Sequence, residues 1–100
     1  METEWKSLRD HLEARARALA EEVRAYPGPI ARCDDQLPWL IAQRTRAVET
    51  ARLAQDLERQ KEALPEREWR ARLAERAASL RVDDEEGQRL QRALMEALQR

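Results

Sequence analysis

One hundred residues carry nineteen basic and twenty acidic side chains, for a formal net charge of −1. That length sets a single domain, and that balance excludes a global pull toward nucleic acid or an anionic membrane surface. Apolar residues make up 42% of the chain, but seventeen of them are alanine and none is phenylalanine, so the supply of large core side chains is thin for a domain of this size.

Helix one is expected over residues 4–25, with Thr3 as N-cap and acidic residues at the positive end of the helix dipole. Trp5, Leu8, Leu12, Leu19, Val23 and Tyr26 recur at spacings of three, four or seven, with Ala16 in the gap, which is one face of an amphipathic helix. Tyr26-Pro27-Gly28-Pro29 then ends it. Proline disfavours helical geometry at the residue before it, glycine permits a positive φ, and Pro29 blocks a clean restart. Residues 26–35 therefore read as a connector.

Helix two is expected over residues 36–64, opening at Asp35. With Asp35 as cap, Pro38 is the third helical residue, where a missing N–H costs nothing; with Asp34 as cap it is the fourth, where a bond is normally made. No breaker follows until Pro65, so this helix is about 29 residues and roughly 43 Å long at 1.5 Å per residue. Leu37, Leu40, Ile41, Val48, Ala51, Ala54, Leu57 and Leu64 trace its apolar stripe, with Arg44 inside it. Arg44 either snorkels or meets a carboxylate. The stripe is not a strict heptad seam, although Ala47, Ala51 and Ala54 allow close helix approach.

Helix three is expected over residues 66–81 with Trp69, Leu73, Ala77 and Leu80 inward, and helix four over 84–99 with Leu90, Leu94, Ala97 and Leu98 inward. Asp83 as N-cap and Glu86 three residues on form a capping-box analogue. Six acid–base pairs fall at i,i+4 spacing: Glu2–Lys6, Glu13–Arg17, Glu66–Arg70, Glu68–Arg72, Glu85–Arg89 and Glu96–Arg100. β-Branched residues total eight and nowhere alternate, so no strand is expected. The fold class is all-α: a four-helix bundle, or helical hairpins with two long helices followed by two short ones. The first two helices pack antiparallel. The shorter pair either closes the bundle or docks on a second subunit, and the small core favours completion by dimerisation.

The chemistry-bearing residues are few. One cysteine permits no intrachain disulfide, and Asp34 and Asp35 beside Cys33 suppress its thiolate. His11 is the only histidine. It lies one turn from Ser7 with no obvious acid to orient its ring, which reads as a surface or boundary residue rather than part of a triad. One His and one Cys do not make a zinc site, and the four acids at 83–86 do not match a calcium loop. No phosphate-binding glycine loop and no nucleophile elbow occurs. The chain is expected to bind no cofactor and no metal, and to have no enzymatic activity. It has no apolar run long enough for a membrane span and no signal-peptide h-region at its start, so a cytoplasmic location is expected.

Two binding surfaces remain. Residues 25–40, the connector with the first turn of helix two, gather three of the four prolines, the only cysteine, the only tyrosine and one tryptophan. The structural role of this stretch is to turn the chain and plug the end of the core. Its functional role is to present rigid aromatic anchors to a protein partner. On that reading the partner site comprises Tyr26, Pro29, Ile30, Cys33, Asp34, Trp39 and Arg44. The alternative is a nucleic-acid contact through Arg67, Trp69, Arg70, Arg72 and Arg76 on helix three. Seventeen of the nineteen basic residues are arginine, which suits phosphate, although a GC-rich coding sequence also favours arginine and alanine. Residues 66–100 hold eight acids and eight bases, and helix four opens on four carboxylates, so there is no basic footprint over that pair of helices. A protein–protein interaction or scaffold module, with self-association, is the expected function.

Overall fold

The computed structural model describes residues 1–26 and 36–100. It contains four helices: α1 (Glu2–Ala25), α2 (Gln36–Ala63), α3 (Glu66–Ala77) and α4 (Glu85–Leu98). No strand occurs among the described residues.

The helix starts differ from expectation in two places. α1 begins at Glu2, so Thr3 is an exposed first-turn residue and not the cap. The Met1 amine pairs with Glu4 at 2.7 Å, and the Met1 carbonyl accepts from the Trp5 amide at 3.0 Å; together these close the first turn without a side-chain cap. α4 begins at Glu85, one residue later than expected, because Asp84 and not Asp83 is its N-cap, accepting a hydrogen bond from the Gly87 amide at 3.0 Å. The expected Asp34 or Asp35 cap of α2 lies outside the described residues.

α2 ends at Ala63 as Pro65 requires, and Pro65 then serves as the N-cap residue of α3. Its fixed φ suits that position, and its carbonyl accepts from the Trp69 amide at 2.9 Å. α3 stops at Ala77, four residues short of the expected Arg81. There is no Gly or Pro to mark the stop. Instead Ser79 folds its hydroxyl back to donate to the Arg76 carbonyl at 2.9 Å, and Gln91 of α4 donates to the Ala77 and Leu80 carbonyls at 2.7 and 3.1 Å. These bonds satisfy carbonyls that a longer helix would have used internally. The early stop lets Leu80 turn into the core, where it is 6% exposed.

α1 and α2 form an antiparallel hairpin, and the chain runs back along α2 as α3. Pairings down that seam show the direction: Arg72 donates to the Gln60 side chain, Trp69 Nε1 to the Leu57 carbonyl, and Thr50 Oγ1 to the Arg81 carbonyl. α4 returns along α3 and packs against α1. The short pair thus closes a bundle within the chain. Its core is Trp5, Leu8, Leu12, Ala54, Leu57, Trp69, Leu73, Ala77, Leu80 and Leu94. Trp5 and Trp69 sit at its centre edge to face, with ring centroids 6.3 Å apart and planes at 73°, the arrangement ring quadrupoles favour. Both indole N–H groups are satisfied, Trp5 by Glu58 Oε2 at 2.6 Å and Trp69 by the Leu57 carbonyl at 2.7 Å.

The bundle is not full-length. α1 and α2 span about 36 and 42 Å, whereas α3 and α4 reach only about 18 and 21 Å. Half of the hairpin is therefore a two-helix arm. The overall extents of 55 × 25 × 18 Å and a radius of gyration of 16.0 Å record that arm, since a compact chain of this length has a radius near 13 Å. Arm residues on the α1–α2 interface, Leu19 and Leu40, are still buried, at 8% each.

Of the expected α2 stripe, Leu40, Ala51, Ala54 and Leu57 are buried, while Leu37, Val48 and Leu64 are half-buried and Ile41 is exposed. The buried seam runs Leu40, Gln43, Ala47, Thr50, Ala54, Leu57, Lys61, Leu64, an unbroken 3–4 alternation of buried or half-buried positions. Ala51, at 5% exposed, and half-buried Val48 lie beside that series, so the buried face is wider than a strict heptad seam, and Gln, Thr and Lys within it hide it in the sequence. Leu73→Ala, at a fully buried site, is expected to cost about 3 kcal/mol, whereas Leu53→Ala, at a site 49% exposed, stays within about 0.5 kcal/mol. Thermal or urea unfolding of the two variants checks the contrast.

Candidate functional site

The expected partner surface falls on the arm. Trp39 projects from the first turns of α2 and is 61% exposed, the largest solvent-facing aromatic among the described residues. It shares a groove with Glu22, Ala25, Tyr26, Gln36 and Leu40. Tyr26 is half-buried and closes the α1 end of that groove. Ile41, at 38%, is the next exposed large apolar side chain. Arg44 is half-buried on the arm with no ion pair among the described residues, so it snorkels beside the apolar stripe instead of meeting a carboxylate. Pro29, Ile30, Cys33 and Asp34 lie outside the described residues.

Helical geometry says why Trp39 is bare. Trp39 and Leu57 are eighteen residues apart, which is five turns of 3.6, so they leave α2 in the same direction. At Leu57 that direction meets α3, and the side chain is 4% exposed. At Trp39 it meets nothing, because α3 and α4 are too short to reach the arm. Trp39 therefore continues, uncovered, the line along which α2 is covered in the core.

The alternative surface separates into unlike parts. Trp69 is 1% exposed and hydrogen-bonded inside the core, so it is not available to stack on a base. Arg70 donates to the Arg100 carbonyl at 3.3 Å and Arg72 to Gln60 Oε1 at 3.0 Å. Arg67 and Arg76 are exposed. The four arginines share α3 with Glu66, Glu68 and Glu75, so the helix presents mixed charge.

None of the six expected i,i+4 ion pairs forms. Lys6 binds Asp10 at 3.0 Å, Lys61 crosses to Glu2 at 2.6 Å, and Arg89 binds Glu86. Glu2 is thus taken across the bundle by Lys61, Lys6 by another i,i+4 acid and Arg89 by an i,i+3 acid, and helix-surface pairs are worth only tenths of a kcal/mol.

His11 has the acid that spacing alone did not reveal. Its Nε2 lies 2.6 Å from Asp84 Oδ2, seventy-three residues away in sequence. Arg15 approaches the same carboxylate at 3.5 Å, and Arg46 approaches Asp83 at 3.7 Å. Asp84 thus joins the start of α4 to α1 while capping its own helix. Burial pushes its carboxyl up, but the Gly87 amide, His11 and Arg15 more than offset this and hold it below the usual carboxylate range. Glu58 is treated alike: burial raises it, and Trp5, Arg9 and Lys61 together hold it low. A cavity of about 10 Å³ lies beside Asp84, lined also by Leu12, Arg15, Ala47, Thr50 and Val82. No group of three metal-ligating side chains occurs among the described residues, and none of their helices is long and apolar enough to cross a membrane.

No family model, curated protein or solved structure matches this chain.

Gly87 sits where α4, Val82 and His11 crowd together. A Cβ there falls 2.3 Å from Val82 Cγ1, 2.7 Å from Asp84 Oδ1 and 3.2 Å from His11 Cδ2. Gly→Ala in a helix normally gains about 0.5–1 kcal/mol; here Gly87→Ala is expected to lose about 1–2 kcal/mol, because Asp84 is pinned and cannot yield. A denaturation midpoint higher than the parent contradicts this. The pH dependence is equally specific. A carboxylate with a lowered folded-state pKa stabilises above its unfolded value and loses that contribution as pH falls through the folded one. Asp84→Asn is therefore expected to cost about 1 kcal/mol at neutral pH and to flatten the loss of stability on the acid side, read from unfolding curves at stepped pH.

Proposed function

We propose that this protein is a non-enzymatic protein–protein interaction module whose binding element is the two-helix arm. The supporting observation is Trp39, which at 61% exposed stands in the line of α2 that α3 covers further along. A large aromatic kept in water gains nothing for the fold, whereas desolvating it in an interface is the commonest source of concentrated binding energy. The adjoining groove is walled by Tyr26, Ala25 and Leu40 with Glu22 at its edge, giving an apolar centre and a polar rim as interfaces do. The half-buried His11–Asp84 pair supports a structural role for the chain's one histidine, since two helices depend on it. Self-association belongs to the same reading, because a second helix pair against the arm supplies the core that the chain's few large apolar residues do not complete.

Trp39→Ala is expected to weaken partner capture by about 2 kcal/mol or more while leaving unfolding within about 0.5 kcal/mol of the parent. Unchanged capture with a clear drop in stability assigns Trp39 to the fold and removes the reading.

A further inference from the structure

A second surface on α2 matches the arm. Between α2 and α3 lies an open groove of about 250 Å³, lined by Leu53, Asp56, Leu57, Gln60, Arg76, Ser79 and Leu80. Its floor is leucine, and Leu53 is 49% exposed at its mouth. Asp56 is neutralised by Arg59, while the Arg76 guanidinium makes no hydrogen bond or ion pair among the described residues. Trp39 and this groove lie on adjoining sides of one helix, joined by the row Trp39, Ala42, Arg46, Glu49, Leu53, Asp56 and Gln60, spaced alternately by three and four residues.

We infer that the groove receives Trp39 of a second copy of this chain, in a two-fold dimer whose α2 helices cross antiparallel about a point between Ala47 and Val48. The inference rests on the interaction-module reading and names its partner. A two-fold interface presents the same patch twice, so residue i meeting residue j requires j to meet i. One register satisfies the row from Trp39 to Asp56. Setting Trp39 opposite Asp56, among Leu53, Leu57 and Gln60, sets Ala42 opposite Leu53 and Arg46 opposite Glu49. Each large side chain then faces a small one or a groove, and the central charges are opposite in sign. Glu49 has no ion pair among the described residues, and Arg46 holds Asp83 only at 3.7 Å with its Nε unsatisfied. Glu22, beside Trp39, and Arg76, inside the groove, add a second opposite pair, neither engaged within the described residues. Shifting the register to place Trp39 against Leu53 stacks Arg46 on Arg46, which repels. The contact strip is about 26 Å long, small for a specific interface, so the dimer is weak and concentration-dependent.

Sedimentation equilibrium over a concentration series tests this. The parent chain is expected to move from its 11.7 kDa mass toward twice that value. Trp39→Ala, Arg46→Glu and Glu49→Arg each weaken dimerisation about tenfold or more, and Trp39→Ala and Glu49→Arg leave the unfolding midpoint unchanged at concentrations where the chain is monomeric. The double variant Arg46→Glu/Glu49→Arg regains most of the parent affinity, because the pair is restored across the two-fold with its signs exchanged. A parent that stays monomeric throughout, a dimer indifferent to Trp39→Ala, or a double variant as weak as the singles overturns the inference. A monomer that still captures a different protein in a Trp39-dependent way leaves the module reading standing and removes only the second copy as partner.

Discussion

The edge-to-face contact of Trp5 with Trp69 is the constraint on which the rest of this fold depends. It joins the first turns of α1 to the first turns of α3, and each indole N–H is answered from α2, by Glu58 and by the Leu57 backbone. Three helices are thereby fixed at one end of the molecule. Lys61 adds a cation 5.5 Å from the Trp69 ring centroid and binds Glu2, tying the same end again. With two of the three tryptophans committed there, and no phenylalanine in the chain, the opposite end is left to smaller aliphatic side chains, half-buried Tyr26 and the exposed Trp39.

That asymmetry organises the function proposed. Where α3 lies against α2, Leu57 is buried beneath it; where α3 falls short, Trp39 is left exposed. The polar junction at His11, Asp84 and Arg15 stands at the boundary and fastens α4 to α1. Asp84 caps a helix, orients an imidazole and neutralises a guanidinium with one carboxylate, which is why a glycine is needed three residues later for the chain to pass close by. The arm and the bundle are thus one continuous hairpin with unequal cover.

Much of this was legible from residue spacing. Trp5, Leu8 and Leu12 lie inward as their spacing predicts, and Pro65 ends α2 because it has no N–H to continue the ladder. The inward turn of Trp69 was readable from Leu73 and Ala77 beside it. Three features were not. The end of α3 carries no breaker, because it is set by Ser79 and by Gln91, a residue of another helix. The choice of Asp84 over Asp83 as cap follows from His11, which sequence distance conceals. The buried face of α2 is masked by Gln43, Thr50 and Lys61, polar residues that sit on an apolar line because each is half-covered or has a nearby acceptor. The bareness of Trp39 needed the lengths of two other helices, and no pattern local to the arm records them.

The central claim is that cover, and with it stability, is concentrated at the tryptophan end while the arm is held only by its own two helices. Residue-resolved amide hydrogen exchange measures this directly. The account predicts slow exchange, at the free energy of global unfolding, around Leu8, Leu57, Leu73 and Leu94, and exchange through smaller local openings at Leu19 and across Leu40 to Gln43. Equal protection along the whole length of α1 and α2 at a concentration where the chain is monomeric contradicts it.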